Sequence, residues 1–125
     1  MYKSNEVKNG RYKKYKYFIV DGEYCPLAYV ALPEKHPYWK NPCYIICHGG
    51  VSYSGKHQVL EENVIGWSYD QTYDYTKPMA EAYKKVNANV LALKKWTQEE
   101  IEAECRSVID QISEVYDEKV IKVDK

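Results

Sequence analysis

The feature that most constrains this chain is a short stretch near its C-terminal end, Thr97-x-x-Glu100. This is a capping box, in which the threonine and glutamate satisfy each other's free backbone N–H groups at the start of a helix. The helix it opens carries Ile101, Cys105, Val108, Ile109, Ile112, Val115 and Tyr116 on one stripe, with Glu102, Arg106, Ser113 and Asp117 on the other side. Such a helix, about five turns long, must lay its apolar stripe on another layer.

The upstream chain supplies that layer. Residues 12–20 and 24–32 are rich in Tyr, Val and Ile, and Asp21-Gly22-Glu23 between them reads as a hairpin turn. Residues 43–47, C-Y-I-I-C, read as a buried central strand, and residues 64–69 as its neighbour. Three prolines, at 33, 37 and 42, make the intervening stretch a rigid surface loop whose Tyr38-Trp39 pair closes on the core as a flap. Residues 54–63 read as loop. Thr76 and Pro78 open a short helix over residues 79–86. Residues 90–93 and 120–123 read as brief extended segments. The expectation is α+β: a small, mostly antiparallel sheet covered by one long C-terminal helix, plus a short helix. It divides the chain into a polar N-terminal segment, 1–11, and one domain, 12–125.

Charge excludes some functions and suggests others. The chain has 18 basic and 18 acidic residues, so it is not expected to bind nucleic acid directly. The balance is uneven along the chain. Residues 1–16 hold six basic groups against Glu6, and residues 97–118 hold eight acids against Arg106. Tyrosine is abundant, with fourteen against a single phenylalanine. Its ring packs while its hydroxyl stays wet, which suits interfaces and stacking pockets. Together these features lead to the expectation of a homo-oligomer, a twofold dimer, with the ligand pocket near the seam. No apolar run reaches membrane-spanning length and no secretory leader is evident, so a cytoplasmic protein with reduced cysteines (25, 43, 47 and 105) is expected.

The chemistry gathers after residue 47, where the chain reads His48-Gly49-Gly50-Val51-Ser52-Tyr53-Ser54. Two glycines allow close backbone approach to a ligand, and successive amides with Ser52, Ser54, His48 and Lys56 can cradle an anion. Trp67 or one of the tyrosines can stack on a base, and Asp70 or Asp74 can meet ribose hydroxyls. The candidate ligand-binding residues are therefore His48, Gly49, Gly50, Ser52, Tyr53, Ser54, Lys56, Trp67, Asp70 and Asp74. Cys47, His48, His57, Asp70 and Asp74 are permissible metal ligands, but Cys47 and His48 are adjacent and point apart on a strand, so no metal or other cofactor is expected. Cys47 or Ser52 could pair with a histidine as nucleophile and base, yet no complete catalytic motif surrounds them.

Taken in order, Tyr24-Cys25, Lys35-His36-Pro37-Tyr38, the His48 stretch, Gly66-Trp67-Ser68-Tyr69, Asp74-Tyr75 and a Thr-initiated helix containing Glu104 resemble a family of small phage and prophage proteins. That family carries G-H-P-L-Y-G, H-G-G-[LI]-T-[YF]-S and G-F-D-C-x-H-x-G-D segments before a final helix. The similarity spans roughly residues 24–116. Where the family segment has Cys and His, this chain has Tyr69 and Gln71, so the resemblance lends nothing to a metal or catalytic site there. It implies an anti-defence protein acting inside an infected or lysogenic bacterial cell. The leading expectation is a non-enzymatic protein that sequesters a small nucleotide-type immune signal. One alternative is a protein-binding inhibitor of a defence complex, and another is a small hydrolase using His48 with a carboxylate.

Overall fold

The structure, a computed structural model, describes residues 7–123, with side chains described as far as residue 115. Five strands form one antiparallel sheet: β1 (Val7–Tyr12), β2 (Tyr15–Asp21), β3 (Pro26–Ala31), β4 (Tyr53–His57) and β5 (Glu62–Ser68). Their order is β1-β2-β3-β5-β4, so β5 inserts between β3 and the edge strand β4. Two helices follow, α1 (Lys77–Lys85) and α2 (Gln98–Val123). Because β3 and β4 run the same way with β5 between them, residues 32–52 form a crossover.

Side-chain alternation divides the sheet into two faces. Tyr17, Ile19, Ala28, Val30, Ile65 and Trp67 face α2, where Ile101, Cys105, Val108, Ile109 and Ile112 complete the main core. Phe18, Val20, Tyr29 and Val64 form a smaller cluster on the opposite face. The same device serves both faces: Tyr17 lies over Gly10 and Tyr29 over Gly66, each glycine being the tyrosine's cross-strand partner. A Cβ at Gly10 would come within 2.1 Å of the Tyr17 ring, so the bare backbone makes room for the aromatic.

The crossover is pinned to α2 at three points. His36 is buried; its Nε2 donates to the Ile112 carbonyl at 2.8 Å and its Nδ1 accepts from the Tyr38 N–H at 3.0 Å. The Gln111 amide clamps the Ile46 backbone, accepting from its N–H and donating to its carbonyl, both at 2.8 Å. The His48 N–H donates to Glu104 Oε2 at 3.1 Å. Tyr38 and Trp39 pack on the main core, and the Trp39 indole donates to the Pro33 carbonyl at 2.7 Å, which makes this loop a flap.

The helix signals held. Thr97 Oγ1 accepts from the Glu100 N–H, and the Thr97 N–H donates to Glu100 Oε1 at 2.9 Å. Thr76 caps α1 through the Met79 N–H. The buried stripe of α2 is as the spacing predicts, except that Ser113 is buried and its Oγ donates to the Asp110 carbonyl. Tyr116 and Asp117 lie outside the described side chains.

The strand readings need correction. Residues 43–47 are not a strand. Pro42 opens a 3-10 turn, Pro42–Tyr44, only Ile45 is buried, and the Gln111 clamp takes the place of a neighbouring strand at Ile46. Residues 54–63, read as loop, form most of β4 and the turn into β5; a polar run suits an edge strand. The expected strand over 12–20 is broken at Lys13-Lys14, and β1 begins at Val7, inside the segment read as a polar extension; residues 1–6 lie outside the described part. Residues 90–93 contain a 3-10 turn, Val90–Ala92, capped by Asn89, and residues 120–123 continue α2. No helix among the described residues is long and apolar enough to cross a membrane.

Candidate functional site

At the end of the crossover, His48 belongs to a closed network. Asp74 is buried, with 3% of its surface exposed. Its Oδ2 lies 2.5 Å from His48 Nε2 and accepts from the Gln71 N–H at 2.8 Å, while its Oδ1 accepts from the Trp96 indole at 2.8 Å. A carboxylate only accepts, so the His48 Nε2 carries the proton. The imidazole stacks on Tyr69, with ring centres 4.8 Å apart and planes 9° from parallel, and meets Trp96 edge-on. The Tyr69 hydroxyl accepts from Trp67 at 3.0 Å and donates to Glu104 Oε1 at 2.5 Å. The other oxygen of Glu104 holds the His48 backbone.

This arrangement orients an imidazole and saturates the carboxylate that orients it. Burial, then the bond to Glu104, push the Tyr69 hydroxyl up from its ordinary value. Burial, then the charge of Glu104, push the Cys47 thiol up to about 12, which keeps it protonated and unreactive near neutrality. Among the described residues His48 Nε2 is held by Asp74 and not by Cys47 or Ser52, so the possible pairing of either with His48 is not what the structure shows. No three His, Cys, Asp or Glu side chains among the described residues cluster as a metal site.

The ten residues singled out in the sequence fall in different places. His48, Asp74 and Trp67 join the network. Gly49 stands beside it with φ +71°, where a Cβ would come within 2.4 Å of the Gln71 side chain; Gly50, at φ +80°, faces open space. Asp70 is exposed and accepts from Ser68 Oγ and Gln71 Nε2. The Ser52 N–H extends the sheet by donating to the Gly66 carbonyl. Tyr53, Ser54 and Lys56 are spread along β4, and the Tyr53 ring packs against Tyr29 and His57 on the far face of the sheet. The Gly-Gly loop, the hydroxyls and Lys56 therefore do not converge on one point. Sequence reasoning missed Tyr69, Trp96 and Glu104 as partners of His48. Two aromatics and an acid carry no local signal of such a role.

It also missed a groove on another part of the molecule. An open groove of about 1190 Å³ lies where the β1–β2 turn and the end of β3 meet the middle of α2. Its cations are Arg11, Lys13, Lys14 and Lys16; its carboxylates are Glu62, Asp110 and Glu114; Tyr12 and Tyr15 add rings. Lys13 Nζ lies 2.7 Å from Asp110 Oδ1 and Lys16 Nζ 2.9 Å from Glu62 Oε2. Arg11 donates to the Lys14 carbonyl at 3.3 Å. The adjacent Asp110 carboxylate raises the Lys13 ammonium above its ordinary value, and Lys13 in turn lowers the Asp110 carboxyl. Glu104 and Asp110 are separated by about 9 Å of helix rise, so the groove and the His48 network are neighbours along one helix.

Fold and site together define a small α+β domain with a five-stranded antiparallel sheet under one long helix. Compared with known proteins, the chain matches no family model, no curated protein and no solved structure.

Proposed function

We propose that this protein binds a small anionic ligand of the nucleotide type and holds it without turnover, in the groove between the β1–β2 turn and α2. The observation that carries the reading is the groove itself: about 1190 Å³ in which four cations face three carboxylates beside two tyrosine rings. Ligand sites have volumes on this scale. Phosphates meet the lysines and Arg11, and a base or sugar ring lies against tyrosine. In this reading the His48 network braces the crossover and does not touch the ligand. The resemblance to phage proteins supplies the biological role, sequestration of an immune signalling nucleotide in an infected cell. A second copy closing the groove's open side belongs to the same reading, and light scattering on elution should then give about twice the 14.7 kDa chain mass.

The test is retention. The protein is incubated with cyclic and ADP-ribose-type nucleotides, re-isolated and heated, and the supernatant analysed. Intact ligand released on denaturation supports capture. A changed ligand supports the hydrolase alternative, and retention of none removes the reading.

One observation favours the alternative of a protein partner. Across residues 77–92 only Ala80 is buried, while Val86 is 72% and Leu91 90% exposed. Exposed apolar side chains among Lys77, Lys84 and Lys85 suit an acidic protein surface. A Leu91→Asp variant that loses defence inhibition while nucleotide retention is absent from wild type would establish it.

A further inference from the structure

We infer that Asp110 is a built-in competitor for the groove's anion: its carboxylate holds the Lys13 ammonium while the groove is empty, and a pyrophosphate-type ligand displaces it. This rests on the groove being the binding site.

The β1–β2 turn is where the argument begins. Lys13 and Lys14, between paired Tyr12 and Tyr15, have φ of 49° and 73°. Both central positions of this tight hairpin are left-handed, which is where asparagine and glycine are ordinarily found. Lysine carries a Cβ that disfavours this backbone. Two consecutive lysines therefore place two charges at the mouth of the groove against the local backbone preference. Disfavoured backbone of this kind concentrates at functional positions.

The Lys13 charge is not idle. It meets Asp110 of α2, far along the sequence, and both side chains are about half exposed, 51% and 48%. Asp110 Oδ1 is itself shielded from solvent, yet among the described residues it has no partner that meets hydrogen-bond geometry; the 2.7 Å approach of Lys13 Nζ is an ion pair out of alignment. Ion pairs this exposed hold weakly. On the other wall, Lys16 donates a hydrogen bond to Glu62 Oε2 at 2.9 Å. Lys14 contributes its carbonyl to Arg11, and its ammonium has no carboxylate partner among the described residues.

The ligand class follows from this competition. A single negative charge gains nothing over the carboxylate already beside Lys13. A pyrophosphate offers several oxygens and more than one charge, so it can engage Lys13, Lys14 and Arg11 together. Asp110 then faces the bound anion and opposes it. The carboxylate thus rejects singly charged anions and weakens the intended ligand, so its removal should tighten binding.

Calorimetric titration of the full chain with inorganic pyrophosphate and with ADP-ribose tests this. Lys13→Gln should weaken both by about tenfold, the scale of a lost charge-assisted contact. Asp110→Asn should tighten both by about threefold or more, and by less than that in the Lys13→Gln background. Equal melting temperatures confirm that the surface variants fold. If Lys13→Gln weakens binding but Asp110→Asn weakens it or leaves it unchanged, the competitor idea falls and the groove stands. If neither variant alters a measurable affinity, or wild type binds neither probe, the groove reading falls with it.

Discussion

The His48 network and the β1–β2 groove lie on the same helix and handle polarity in opposite ways. Around His48 both oxygens of Asp74 and both of Glu104 are taken, and the imidazole is held by a carboxylate and two rings. In the groove the paired side chains are partly exposed. Saturated, buried polar networks rigidify, because an unmade bond there carries a large penalty. Exposed pairs exchange, because water and ligands replace them at little cost. On the proposed reading, the residue types that look most catalytic brace the fold, and the plain lysines meet the ligand.

That contrast breaks most visibly at Asp74. Asp74→Ala strands the Trp96 indole, the Gln71 N–H and His48 Nε2 at once, and should destabilise the fold by about 3 kcal/mol. Denaturant unfolding measures this. A loss below about 1 kcal/mol would show that the network is not a brace.

Next come the two glycines, which separate backbone strain from contact. Both have positive φ, but only Gly49 lies against a side chain, that of Gln71. Gly49→Ala should cost about 2 kcal/mol and Gly50→Ala about 1 kcal/mol, the latter being backbone alone. Equal losses would mean that the Gln71 side chain moves aside freely.

The groove should give the reverse pattern. Lys13→Gln should change stability by less than about 0.5 kcal/mol while its effect on ligand affinity is large. A stability loss comparable to that of Asp74→Ala would make the groove pair structural and erase the distinction between the two regions.

The smallest effect is one of pH and lies at the start of α2. The bond from Lys94, then the Thr97 N–H, hold the Glu100 carboxyl down at about 2, against 4.5 ordinarily. A carboxyl depressed in the folded state stabilises above its unfolded pKa and loses that contribution as pH falls through the folded one. Stability from this group should therefore be constant above about pH 5 and decline towards pH 2. Unfolding curves for wild type and Lys94→Gln should converge over that interval; a gap that persists at pH 2 would rule out this pair as the source.

Some of the candidate site was legible from residue types. His48, Trp67 and Asp74 were each read as ligand-binding candidates, and the structure brings them into one network. Their connecting residues did not stand out. Glu104 looks like any acid on the polar side of a helix, and Tyr69 like one more β-former. The groove was hidden for a related reason: Lys-Lys is not a turn signature, so the break between β1 and β2 read as continuous strand.

What the sequence determined by itself was the set of local decisions. The capping box and the Thr76 cap are contacts within a few residues, and the apolar stripe of α2 and the strands at β2, β3 and β5 are marked by the composition and spacing of their own segments. The sequence also contained the C-Y-I-I-C run, whose composition favours a strand, but tertiary structure assigned it to the crossover because Gln111 satisfies the backbone that a strand would have paired. Only the strand order β1-β2-β3-β5-β4 and the placement of α2 bring Lys13 to Asp110 and His48 to Asp74 and Glu104. Electrostatic and hydrogen-bond partners are chosen by distance in space, and local pattern carries no record of that distance until the layers have packed.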